Sequence, residues 1–264
     1  MMAGAGSGQA LAPLPRPVAG ETVTLLGIRF DRLTRDQALT TLESAFGCGE
    51  AWKVYIVNTH TMNLAWTDPE FRQVLNRADL LLNDGSGAQI ASRLAGKPFP
   101  DNLVGTDLVP QLCEGSARRG KSVYLLGGRP GTPERAAASL ARISPGLRVA
   151  GTQQGYFPES ENPRVVKRIN QSGAGILLVA FGNPSQEQWI HAHAPLLRCD
   201  LCIGVGGLCD HLSGRLKRAP RWMRRLGIEW VFILLCQPYK WRRYLVGNPL
   251  FLARLVVHHF GWKR

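Results

Sequence analysis

The sequence is short of acid, of clustered cysteine and of long apolar runs, and each shortage removes a class of protein. Against 32 Lys and Arg stand only 19 Asp and Glu, a formal charge of +13, so an anionic partner is expected: nucleic acid, an acidic membrane surface or a phosphorylated ligand. The six cysteines are scattered, and only Cys199 and Cys202 form a C-x-x-C pair. A zinc site needs a second pair or suitably spaced histidines, so no metal and no disulfide are expected. No stretch approaches the roughly 18 to 20 uninterrupted apolar residues of a membrane-spanning helix. Residues 1–20 are rich in Gly, Ala and Pro without the basic and apolar regions of a secretion signal, and read as a flexible leader of a cytoplasmic protein.

Two nucleotide-binding signatures are also missing. Gly127-Gly128-Arg129-Pro130-Gly131 is not G-x-G-x-x-G, and no acid follows it at ribose-binding distance, which disfavours an oxidoreductase using a dinucleotide. No glycine-rich loop ends in Gly-Lys-Ser or Gly-Lys-Thr, which removes P-loop kinases and ATPases.

What is present is a sequence with 45% apolar residues over 264 positions, enough for one sizeable core. Short β-rich runs alternate with amphipathic stretches between Thr22 and Val205, the pattern of an α/β fold: a Rossmann-like, mostly parallel sheet with helices on both faces. Strands are predicted over Thr22–Leu26, Lys53–Val57, Leu80–Asn83, Ser122–Leu126, Leu147–Ala150, Gly175–Ala180 and Leu201–Val205. Thr34, Asp68-Pro69-Glu70 and Thr132-Pro133-Glu134 read as helix starts. This gives an α/β domain over residues 21–210. The remainder, 211–264, holds twelve basic residues and one acid, Glu229, a net +11 that leaves only +2 for the first 210 residues. Interleaved Trp, Tyr and Phe make it a basic, helical, membrane-binding appendage in expectation, or else a basic helix packed on the body. Its segment Tyr244–Phe260 reads as interrupted at Asn248-Pro249 and Arg254.

Polar and glycine clusters close several strands: Asn58-Thr59-His60, Asp84-Gly85-Ser86-Gly87, Gly127-Gly128, Gly182-Asn183-Pro184-Ser185-Gln186-Glu187 and Gly204-Val205-Gly206-Gly207. In open α/β sheets ligands sit beyond the carboxyl ends of the strands, so these clusters should share one crevice. Glycine amides and helix N-termini there suit phosphate.

Taken in order, these strings with Val104-Gly105-Thr106-Asp107-Leu108, Tyr124-Leu125-Leu126, Gly155-Tyr156-Phe157, Arg218-Ala219-Pro220-Arg221-Trp222-Met223 and Gly227-Ile228-Glu229-Trp230 resemble the WecG/TagA/CpsF glycosyltransferase family, GumM-like glucosyltransferases included. The resemblance implies inverting, metal-independent transfer from a UDP-sugar, without a cofactor, to a polyprenyl-diphosphate-linked saccharide at the inner face of the cytoplasmic membrane. It also implies a C-terminal appendage that docks there and closes the site. On this resemblance Asp84 is the base, Gln186 the active-site amide and Asn58 an orienting group. Alternatives from the residues alone are a helix cap for Asp84, a solvated first turn for Gln186 and a turn asparagine for Asn58.

Donor binding then falls to Gly127, Gly128, Gly182, Gly206, Gly207, Asp107, Asp210 and Arg218, and membrane or diphosphate binding to Arg221, Arg224, Arg225, Lys240 and Arg243. The chain departs from the family pattern at Ile56, where some members have a functional threonine, and at Asn102, Ile233 and Gln237. These departures open the donor to glucose as well as an N-acetylmannosamine-type hexose. Nucleic acid is the rival partner on charge alone, but no helix-turn-helix, zinc or RNA-stacking motif accompanies it. The apolar tail surface also admits a homo-oligomer.

Overall fold

The strand sequences Val54-Tyr55-Ile56-Val57, Leu80-Leu81-Leu82 and Leu177-Leu178-Val179 are apolar at every position, which demands burial of both faces. The computed structural model, which describes residues 20–261 except the side chains of Arg225 and residues 259–261, supplies both covers. The leader expected at residues 1–20 lies almost wholly outside the described residues.

In chain order the elements are β1 (Thr22–Leu25), β2 (Ile28–Asp31), α1 (Arg35–Ser44), β3 (Trp52–Val57), α2 (Thr59–Thr67), α3 (Pro69–Asn76), β4 (Leu80–Asn83), α4 (Ser86–Leu94) and α5 (Gly105–Arg118). There follow β5 (Ser122–Gly127), α6 (Thr132–Ile143), β6 (Arg148–Gln153), α7 (Asn162–Ser172), β7 (Ile176–Ala180), α8 (Ser185–His193), β8 (Leu201–Gly204) and α9 (Leu208–Leu212). The chain ends in α10 (Arg221–Arg225), α11 (Glu229–Cys236), a π-helical turn (Arg242–Val246) and α12 (Gly247–Gly261).

Six strands form one parallel sheet in the order β4-β3-β8-β7-β5-β6. Side-chain alternation divides its residues between two cores. Tyr55, Val57, Leu81, Tyr124, Leu126, Leu177 and Val179 pack with Met62, Phe71, Val165 and Ile190 on one face. Val54, Ile56, Leu80, Leu82, Val123, Leu125 and Leu178 pack with Leu42, Leu112, Leu140 and Leu208 on the other. A one-residue slip would exchange the two sets, so the register is strongly fixed.

The first expected strand does not join this sheet. Thr22–Leu25 pairs antiparallel with Ile28–Asp31 as a separate hairpin whose turn, Leu26-Gly27, has φ of +51° and +77°. Gly27 tolerates that conformation, and the alternation of Ile28 and Phe30 with polar neighbours supplies the second strand. Asp31 then accepts a hydrogen bond from Leu81 N at 2.8 Å, engaging an amide on the edge strand β4.

Helix starts follow their side chains at two of three expected places. Thr34 and Gln37 form a reciprocal capping box, and Asp68 caps α3 ahead of Pro69. Thr132 does not cap: Gly131 occupies that position and Thr132 is already the first helical residue.

The largest departure is at the C-terminus. Asn248-Pro249 does not interrupt the helix: the backbone runs without a break from the π-helical turn Arg242–Val246 into α12, and the wider i→i+5 bonding of that turn accommodates the proline just after it. The helix folds back on α2: Phe251 and Leu255 are buried in the first core, Asn63 Nδ2 donates to Gly247 O at 2.7 Å, and Arg254 donates to Asn63 Oδ1 at 2.8 Å. His258 meets Trp66 edge to face at 6.3 Å. Among the described residues no helix is long and apolar enough to cross a membrane.

Candidate active site

The carboxyl ends of β3, β4, β7 and β8 open into one cavity of about 1290 Å³, roofed by the segment that follows β8. Asn58, Asp84, Gly128, Gly182, Gln186, Gly206, Gly207 and Asp210 line it from the sheet side, and Arg224, Lys240 and Arg243 from the C-terminal side. The crevice expected from the strand-end clusters is therefore a single space.

Asp84 leaves β4 just before Gly85, whose φ of +87° turns the chain sharply into α4. Asn102, at one of the departures from the family pattern, fixes this turn by accepting a hydrogen bond from Gly85 N at 2.8 Å. Asn58 caps α2: its Oδ1 accepts from His60 N at 3.0 Å and Thr61 N at 3.2 Å. With Oδ1 so engaged, its amide hydrogens are left for the Asp84 carboxylate, which they stabilise. The cap and the bond to Asp84 thus use opposite ends of one side chain.

Burial pushes the Asp84 carboxyl up to about 6, and Glu229 pushes in the same direction, while the Asn58 hydrogen bond, Arg243 and Arg218 oppose. At neutral pH such a group is ionised yet basic enough to take a proton. His60 is pulled down to about 4 by burial and by Arg243 and Lys240, so it faces the cavity neutral.

Gln186 lines the cavity and is no solvated first-turn residue. Its Oε1 accepts from Gly206 N at 2.9 Å and Gly182 N at 3.2 Å, and its Nε2 donates to Glu187 Oε1 at 2.8 Å. The amide ties the loops after β7 and β8 together, and it is 1% exposed. A Cβ on Gly204 would stand 3.0 Å from Nε2, so a side chain there would crowd the tie and push the Gln186 amide aside by a few tenths of an ångström. Behind it Glu187 is fully buried and pushed up to about 7 by that burial, against hydrogen bonds from Gln186 and Asn183.

The same bonds revise the donor-binding set. Gly182 and Gly206 give their N–H groups to Gln186, and Gly128 N donates to Ala180 O at 3.1 Å, so none of these amides is free for phosphate. Gly127 lies outside the cavity lining. Its φ is +129° and a Cβ there would meet Ala180 O at 2.5 Å, so it serves the close approach of β5 and β7. Asp107 and Arg218 also lie outside the lining, joined by two parallel hydrogen bonds of 2.7 Å each, and Arg218 holds the Asp107 carboxyl below its usual range. Their bond ties α5 to the segment after α9.

Of the basic set, Arg243 Nη2 reaches 3.5 Å from Asn58 Oδ1, and Arg224 Nε donates to Ala219 O at 3.2 Å. Arg221 is exposed and away from the cavity. The side chain of Arg225 lies outside the described residues. Among those residues no group of three or more His, Cys, Asp and Glu gathers to hold a metal ion. Sequence reasoning missed Glu229 as a site residue, although it is the one acid in a segment of net charge +11.

A doubly covered parallel sheet, with a basic carboxylate and several cations meeting over its strand ends, is an α/β fold whose strand-end cavity holds groups suited to proton transfer and to binding anions. The sequence pattern of the Glycosyl transferase WecG/TagA/CpsF family matches residues 23–264, and the chain belongs to that family. It is similar to the N-acetylglucosaminyldiphosphoundecaprenol N-acetyl-beta-D-mannosaminyltransferase of Bacillus spizizenii, 32% identical over 194 residues covering 74% of each chain. The protein of the same name from Staphylococcus aureus is 29% identical over 238 residues, 89% of this chain and 92% of the relative. The chain is thus a glycosyltransferase.

Proposed function

We propose that the chain transfers a hexose from a UDP-sugar to a polyprenyl-diphosphate-linked saccharide, by inverting displacement and without a metal, in the synthesis of a bacterial surface or exported polysaccharide. The observation that carries this reading is Asp84: a carboxylate kept basic by burial, facing a cavity whose other wall presents Arg224, Lys240 and Arg243. The relatives' printed names supply the acceptor class.

In the displacement an acceptor hydroxyl oxygen bonds to the anomeric carbon as the bond from that carbon to the UDP oxygen breaks. Asp84 takes the hydroxyl proton, and the leaving diphosphate keeps the electron pair of the broken bond. Its added charge is stabilised by the cations of the C-terminal segment. Asn58 holds the base, and Gln186 acts as a positioning residue by fixing the loops that floor the cavity.

Ile56 also lines the cavity and offers a sugar only an apolar contact. This supports glucose beside an N-acetylmannosamine-type hexose as donor. A panel of UDP-sugars with a polyprenyl-diphosphate-saccharide acceptor tests the reading through UDP release. Turnover with one donor is expected; no turnover with any donor, together with no UDP binding by calorimetry, rejects it.

The proposal places the chain at the inner membrane face. Trp222, Leu226, Leu235 and Tyr239 are 59 to 75% exposed beside Arg221 and Arg242, apolar and basic groups suited to an anionic lipid surface. Flotation with anionic vesicles is expected, weakening about tenfold or more between 50 and 300 mM salt as surface charges are screened. Flotation that ignores lipid charge, or sedimentation as a dimer without lipid binding, would assign these side chains to a homo-oligomer instead.

A further inference from the structure

Apart from Asn58, the groups that act on the charge of Asp84 are Glu229, Arg243 and Arg218, and all three arrive after β8. Two of them are cations, as an enzyme handling diphosphates requires. Glu229 has the opposite sign, and among the described residues it forms no ion pair. Arg218 is held bidentately by Asp107 instead.

The position of Glu229 is set by a direct contact between its turn and the loop of Asp84. Ser86, two residues after Asp84, donates its hydroxyl to Gly227 O at 3.2 Å. Gly227 has φ of +70°, and a Cβ there would stand 3.2 Å from Ser86 Cβ. Two residues further on, Glu229 opens α11 and lines the same cavity as Asp84. An acid in the first helical turn suits the helix dipole. That role does not require the acid to stand among Asp84, His211, Arg218 and Tyr244, the groups whose charges it influences.

We propose that Glu229 is a positioning residue for the transfer: held at the cavity wall by the Ser86–Gly227 contact beside the Asp84 loop, it sets a second carboxylate charge against the one that takes the acceptor's proton. This rests on reading Asp84 as the base. The consequence is a coupling between docking and chemistry. With the C-terminal segment away, Asp84 loses its cover and its carboxylate neighbour, which together outweigh the departing Arg243 and Arg218, and becomes a weaker base, so the proton-accepting site is completed only when the roof is in place.

Burial acts on Asp84 in the same direction, so the test must separate the charge of Glu229 from docking as a whole. The midpoint of Asp84 is read by carbon NMR of labelled aspartate carboxyls, assigned by its loss in Asp84→Asn. In Glu229→Gln, which keeps size and polarity, the midpoint is expected to fall by about half a pH unit to one unit. Glu229→Asp, which keeps the charge, should restore most of it. Amide exchange at Gly227 reports docking in each variant.

An unchanged midpoint in Glu229→Gln overturns the proposal. So does an equal fall in both variants with faster Gly227 exchange, which would mean that only docking matters. The acid limb of kcat/KM should move with the NMR midpoint. If the midpoint moves but the wild type transfers no sugar, the coupling stands and the reading of Asp84 as base fails.

Discussion

Replacing Asp84 with Asn is expected to lower kcat by about 10²- to 10⁴-fold, the range spanned by loss of a general base, with UDP-sugar affinity nearly unchanged. The substitution keeps the size of the side chain and its place before Gly85, and it removes the negative charge together with the capacity to take a proton. Because burial holds the wild-type carboxyl up at about 6, the sign of the pH effect is determined. The active form is the ionised one, so kcat/KM should be level above that pH and fall about tenfold per unit below it. The residual rate of the variant should lack this limb. Steady-state kinetics across pH 5 to 8, with calorimetry of UDP binding, measure both. Retention of more than about a tenth of kcat, outside the range of base removal, would assign the proton to another group and leave Asp84 as a loop residue.

Much of the fold and part of the site were legible in the sequence. Strands such as Leu80–Asn83 are continuous apolar runs closed by a polar residue, and the polar residue marks the carboxyl end where ligands sit. That placed Asn58, Asp84 and Gln186 around one space. What could not be read was who takes each hydrogen bond. A glycine in a sequence announces conformational freedom, but Gly182 and Gly206, far apart in the chain, meet only in the fold, on Gln186 Oε1. Arg218 and Asp107, both expected at the donor, are 111 residues apart, and only the fold shows them bonded to each other. Residues 247–261 show a third kind of limit. Leu250, Leu252, Val256 and Val257 are exposed while Phe251 and Leu255 are buried. Apolar residues surround the helix, and periodicity cannot choose the inward face.

That inward face leads to the second large effect. Phe251 is 1% exposed, packs 3.6 Å from the position a Cβ on Gly87 would take, and lines the cavity. Truncating a buried Phe to Ala costs about 3–5 kcal/mol. The sheet core of Tyr55, Leu81 and Leu177 is covered by other elements as well, so the loss should fall mainly on the docking of α12 against α2. At 1.4 kcal/mol per factor of ten, such a loss weakens docking by more than 100-fold. Asn63 would still hold Gly247 and Arg254, but these three hydrogen bonds, about 1 kcal/mol each, are already made in the wild type and add nothing to offset the loss.

Phe251→Ala should therefore keep the main thermal transition within a few degrees of wild type. Its C-terminal segment should become open to protease and its amides exchange faster, and kcat/KM should fall by up to about 100-fold, the ceiling set by the docking loss, as Glu229, Lys240 and Arg243 leave the cavity. A clear drop in Tm with unchanged activity per folded molecule would show instead that α12 belongs to the core alone and that the cavity functions without its roof.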